Sequence, residues 1–86
     1  MPRISAFFGI IIAMYYNDHA PPHFHAIYQG DEAQILIESL EILRGALPRR
    51  ALALVLEWAA LHRSELRQDW EKARLGATLD PIEPLE

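Results

Sequence analysis

The chain has 86 residues, a formal charge of −4 at pH 7 and no cysteine, with a pI of about 5.5. That length holds one domain with no room for a second. The missing cysteines exclude disulfides, thiolate catalysis and cysteine-held zinc and suit the cytoplasm, and the acidic balance weighs against a general nucleic-acid surface, whose affinity comes from basic residues. An apolar fraction of 51% with 23% charged residues excludes a disordered chain.

The first half reads as strands and the second as helix, with the change at Gly45-Ala46-Leu47-Pro48. One domain over 1–86 is expected: strand-rich over 1–45, helix-rich over 48–75 and an extended tail over 77–86. Ile4 to Phe8 and Ile10 to Tyr16 are β-branched and aromatic. They predict one strand bent at Gly9 or two short ones, placed in the middle of a sheet because both faces are apolar. The apolar run from Phe7 to Met14 is far short of the roughly 20 residues of a spanning helix, and Met1-Pro2-Arg3 is not followed by the apolar core of a signal peptide, so no membrane contact is expected.

Asn17 to Pro22 must be a loop, stiffened by its adjacent prolines. His23 to Gln29 predicts a strand with His23, His25 and Ile27 on one face and Phe24, Ala26 and Tyr28 on the other. Gly30-Asp31 is the expected turn, returning Glu32 to Glu38 antiparallel with Ala33, Ile35 and Ile37 as one stripe. A fourth strand around Glu41 to Arg44 is weakly signalled.

Between Arg49 and Leu75 there is neither glycine nor proline. Pro48 suits a first helical turn and Gly76 a stop. One unbroken helix here would run on the order of 40 Å, too long for so small a domain. A break near His62-Arg63-Ser64, with Ser64 capping a second helix, is expected, and Arg67 and Glu71 are spaced to pair. Ala51 to Leu61 is apolar nearly all round, so Leu54, Trp58 and Leu61 form a second face for the other helix or for a partner subunit, a second copy of the chain included. The fold class is thus α+β: a small antiparallel sheet of three to four strands against a long, kinked C-terminal helix or a helix pair.

Three of the four histidines fall in Asn17-Asp18-His19-Ala20-Pro21-Pro22-His23-Phe24-His25. On a strand, His23 and His25 leave one face with Cα atoms about 6.6 Å apart, a spacing that can chelate a divalent transition metal, with His19 or Asp18 as third ligand and a position left for water. Two alternatives stand beside this. Without metal, His23 and His25 act as acid and base, with His19 and Asp18 beside them and Tyr15, Tyr16, Tyr28 or Arg3 to stabilise charge; such a pair suits RNA cleavage through a 2′-hydroxyl. In the third reading the histidines hydrogen-bond to backbone and make a structural corner. His62 stands apart as a helix-end residue. Arg49 and Arg50 oppose the dipole of their helix, which suggests an acidic or phosphate-bearing partner or simply a solvated face; with Trp58 they are the candidate partner contacts.

The run Gly9 to Ile12, Met14-Tyr15-Tyr16-Asn17-Asp18-His19, Pro21-Pro22-His23-Phe24-His25-Ala26, Leu47-Pro48-Arg49-Arg50-Ala51-Leu52 and Glu57-Trp58 closely resembles the bacterial domain-of-unknown-function family forty-one-sixty. The similarity extends from Met1 to Leu85, and Trp70 matches the second tryptophan usual in that family. The resemblance implies a small prokaryotic protein encoded beside a member of family twenty-four-forty-two. Such pairs are regarded as toxin-antitoxin modules, with this family as toxin. Carried over, Asp18, His19, His23 and His25 become candidate active or contact residues, and the partner is the neighbour-encoded, antitoxin-like protein. Arg3 replaces a smaller residue, and Ser39-Leu40-Glu41 lacks the glycine usual in that turn, which puts the fourth strand in question.

Overall fold

In a computed structural model describing residues 2–86, the strand-rich half forms a meander of five antiparallel strands in sequence order, one or two more than expected. They are β1 (Arg3–Phe7), β2 (Ile10–Ala13), β3 (His23–Tyr28), β4 (Asp31–Leu36) and β5 (Ile42–Gly45). Phe8-Gly9 is a two-residue turn between Phe7 and Ile10, which pair. The apolar run therefore breaks into two strands, and β1 lies at the sheet edge; only β2 is interior, as expected of the whole stretch.

Tyr28 pairs with Asp31, so the next turn is Gln29-Gly30 and not Gly30-Asp31. Both turn residues have positive φ, 47° and 87°, the geometry that matches the twist of a tight hairpin. The β4–β5 turn works without glycine because Leu40 itself adopts φ 62°. Gly45 is less replaceable: a Cβ there would lie 2.2 Å from the Glu32 carbonyl oxygen.

Side-chain alternation divides the sheet. Ile10, Ile12, Phe24, Ala26, Ala33 and Ile35 are buried on one face. Against it lies α1 (Arg49–Leu61), whose Trp58 ring sits 5.4 Å from Phe7 and 5.9 Å from Phe24, centroid to centroid. Trp58 is fully buried. The face it shares with Leu54 and Leu61 is expected to meet the other helix or a partner subunit, but the sheet and tail bury Trp58, and of those three only Leu61 is strongly exposed. Truncating so large a core residue costs about 3–5 kcal/mol.

The helical segment breaks where expected. His62 (φ −121°, ψ 24°) ends α1, and α2 (Arg63–Arg74) follows. Ser64 does not cap it; no side chain does. His62 Nδ1 instead lies 2.6 Å from Glu65 Oε1 in the first turn of α2. Pro48 stands one position earlier than expected, at the N-cap of α1. Arg67 pairs with Glu38 rather than Glu71, through two bonds of 2.6 and 2.8 Å, because the β4–β5 turn brings Glu38 within reach of a planar guanidinium fork. Glu71 is taken by Arg74 at 2.9 Å.

The tail is extended and integral to the core. Leu79 and Ile82 are buried, the Ile82 N–H donates to the Ile4 carbonyl at 2.7 Å, and Trp58 Nε1 donates to the Glu83 carbonyl at 2.8 Å. Asp69 on α2 accepts the Asp80 N–H at 2.9 Å. No helix is long and apolar enough to cross a membrane among the described residues.

Candidate metal centre

The second face of the sheet carries the polar chemistry. Across it Ala13, His25, Gln34 and Arg44 stand in register on four successive strands, and His23 leaves the same face two residues before His25. Loop 14–22 returns over this row. Within it the His19 N–H donates to Asp18 Oδ1 at 2.9 Å, which leaves Oδ2 to face the histidines.

Asp18 Oδ2 lies 3.0 Å from His23 Nε2 and 3.1 Å from His25 Nε2. The far nitrogen of each ring is spoken for: His23 Nδ1 donates to the Pro21 carbonyl at 2.8 Å, and His25 Nδ1 donates to Glu32 Oε2 at 2.8 Å. A carbonyl oxygen can only accept, so His23 carries its proton on Nδ1 and, when neutral, turns a lone pair toward Asp18. That Nε2 is buried and makes no hydrogen bond despite its nearness to Oδ2, and the ring as a whole is 3% exposed. Three ligand atoms, one from each of Asp18, His23 and His25, lie within 4.8 Å of one another.

His25 Nε2 also stands at hydrogen-bonding distance from Asp18 Oδ2, a bond that needs a second proton on the His25 ring; with both rings neutral, three acceptors converge, which is unfavourable unless something positive sits among them. Protons serve poorly: satisfying both rings would place two imidazolium ions side by side, their centroids 5.2 Å apart, in a site closed by Trp70 against His23 and Tyr15 edge-on to His25. A divalent cation serves well. Ligands about 2.1 Å from such an ion lie about 3.0 Å apart at the right angles of octahedral coordination and about 3.4 Å apart at tetrahedral angles, so the 3.0 and 3.1 Å spacings from Oδ2 to the two imidazoles are near those an ion would set. The outer hydrogen bonds are those metal-binding imidazoles usually make, to a carboxylate and a backbone carbonyl, fixing tautomer and ring angle. Burial pushes the Asp18 carboxyl up, but the hydrogen bond with His25, the His19 N–H and the charges of His23 and His25 outweigh it and hold the group below its ordinary range.

The expected residues are thus partly assembled. Asp18, His23 and His25 converge, while His19 contributes its backbone to Asp18 and leaves its side chain exposed. His62 is engaged with Glu65. Arg49 and Arg50 are exposed at the start of α1, where Arg50 borders a different, apolar depression with Phe8, Tyr28 and Leu54; Trp58 is in the core. Tyr15 touches the site, Tyr16 is exposed and Arg3 lies exposed on β1.

Glu32 is the residue that sequence reasoning missed. With the turn placed at Gly30-Asp31 it would face Gln29; with Gln29-Gly30 it faces Ile27 and stands diagonal to His25. The positive-φ tolerance of Gln-Gly was the signal that could have found it.

A family profile described as "Domain of unknown function (DUF4160)" matches residues 9–71, from the first hairpin into α2, a stretch that contains Asp18, His23, His25 and Glu32. No curated protein and no solved structure matches the chain. With most of its length matched, including the whole histidine corner, the chain belongs to the DUF4160 family.

Proposed function

We propose that this protein is a metal-binding domain in which Asp18 Oδ2, His23 Nε2 and His25 Nε2 hold one first-row divalent ion. The reading rests on the buried, unpartnered Nε2 of His23 facing Asp18 Oδ2 at 3.0 Å. Two imidazoles and one carboxylate leave coordination positions for water or substrate, the pattern of catalytic rather than structural sites. An ion held there would acidify a bound water and polarise an oxygen of the substrate, chemistry that suits hydrolysis. Glu32 holds the His25 ring, and Pro21 holds that of His23.

The wider setting follows the family resemblance. The domain acts in the cytoplasm as the toxin-like member of a two-gene module, its partner is the neighbour-encoded protein, and RNA is the first substrate to assay. Net acidity then confines nucleic-acid contact to the site itself.

Elemental analysis of protein purified without a histidine tag tests the metal. Stoichiometric zinc, nickel, iron or manganese is expected, lost in His25→Ala, together with a metal-dependent rise in melting temperature. Metal-free protein that neither binds nor is stabilised by these ions would return the corner to metal-free acid–base chemistry or to structure alone. Expression without the neighbouring gene should arrest growth, and His23→Ala should relieve the arrest; unimpaired growth with the wild-type protein sinks the toxin assignment while leaving the metal centre standing.

A further inference from the structure

Beside the centre lies a cleft of about 380 Å³ lined by Asp18, His19, Ala20, Pro21, His23, Gln34, Leu43 and Arg44. Four observations bear on what enters it. Arg44 stands opposite Gln34 on the neighbouring strand, and Gln34 stands opposite His25, so guanidinium, amide and imidazole form one row leading to the centre. Directly paired residues have Cβ atoms about 5 Å apart, so the row is within reach of one small ligand. Among the described residues, Arg44 has no ion pair and no side-chain hydrogen bond, whereas Arg63, Arg67 and Arg74 are each engaged by a backbone carbonyl or a carboxylate. Leu43, 41% exposed, and the Ala20-Pro21 segment supply an apolar wall.

We infer that this cleft binds a phosphate monoester, with Arg44 and the Gln34 amide holding non-bridging oxygens and the ester's organic group lying against Leu43, Ala20 and Pro21; the inference rests on the metal reading above. An ion of charge +2 bound by a single carboxylate stays positive, and Arg44 adds to it, so the cleft favours an anion even with Glu32 nearby. A phosphate monoester has three non-bridging oxygens, enough to meet guanidinium, amide and metal at once, whereas a carboxylate has two. The planar fork of arginine is matched to such oxygens and is otherwise unspent here.

Calorimetry tests this in two stages on the full chain. Zinc is titrated first into wild type, Arg44→Gln and Arg50→Gln, the last changing an exposed arginine outside the cleft; equal zinc affinity in all three is expected, with unchanged melting temperatures. Phenyl phosphate is then titrated into each zinc-loaded protein, with benzoate as the carboxylate of the same ring. Wild type and Arg50→Gln should bind phenyl phosphate alike. Arg44→Gln should bind it at least about tenfold more weakly, as the loss of a charge-assisted hydrogen bond predicts, and benzoate should bind wild type more weakly than phenyl phosphate does.

Failure of wild type to take up zinc, or nickel, iron or manganese titrated in its place, removes the metal reading and this inference together. Zinc uptake followed by equal phenyl phosphate affinity in wild type and Arg44→Gln, by equal losses in both arginine variants, or by benzoate binding as tightly, overturns the phosphate subsite alone.

Discussion

Two aspartates sit at two corners of this small domain, and their surroundings differ in sign. Asp18 on loop 14–22 faces two imidazoles and a backbone N–H, and its carboxyl is held below its ordinary range despite partial burial. Asp69 on α2 is 1% exposed. Burial drives its carboxyl up, and Asp80 and Glu65 add to that, while the Asp80 N–H and Lys72 only partly oppose it. One Asp69 oxygen accepts the Asp80 N–H and the other is buried without a partner. The same side chain therefore faces two imidazoles in one place and staples the C-terminal tail in the other. They differ in burial, nearly complete at Asp69, and in the two imidazoles that only Asp18 faces.

Asp18→Asn should break the comparison most strongly. It keeps the shape and removes the charged ligand, so metal affinity should fall more than the roughly 10–100-fold typical of losing an outer-sphere partner. Competition with a chromogenic chelator measures this, and an affinity within a few-fold of wild type would remove Asp18 from the centre. Glu32→Gln should come next, at about 10–100-fold, because it weakens the hold on the His25 ring without deleting a ligand. No change there would mean that His25 is positioned by Tyr15 and the loop alone.

The Asp69 corner should respond in stability and not in metal affinity. Asp69→Ala leaves the Asp80 N–H without its acceptor and should cost about 1–3 kcal/mol in urea unfolding. Asp69→Asn should have the smaller effect and a telling pH dependence. Because the folded-state pKa of Asp69 lies above its unfolded value, its favourable contribution is fully present in acid and is lost as pH rises from the ordinary 3.8 through the folded-state pKa. The stability of Asp69→Asn relative to wild type should therefore rise from acid toward neutral pH; a flat difference would show that the carboxylate ionises freely at that position.

Much of this was legible because it is local. The period of two put His23 and His25 on one face, the double proline made a loop, and the length of the helical run demanded a break at His62. The misreadings have one origin. Moving the second turn by one residue changes which groups meet across β3 and β4, which hid Glu32. The expected Arg67–Glu71 pair took account of helix neighbours and not of Glu38 arriving from the sheet. Trp58 looked surplus because the tail that caps it, through the Glu83 carbonyl and Ile82, gives no periodic signal of its own.

Covalent geometry and side-chain alternation act over a few residues, so the sequence by itself determined the strands, the helix break, the paired imidazoles and the absence of thiol chemistry. The point on which those imidazoles converge was decided only in three dimensions. It depends on how loop 14–22 closes, which sets the Asp18 Oδ2 position, and on hairpin register, which sets Glu32 against His25 and lines Gln34 and Arg44 up beside it. Ångström-scale placement of groups from separate segments is fixed by packing, which no local pattern encodes.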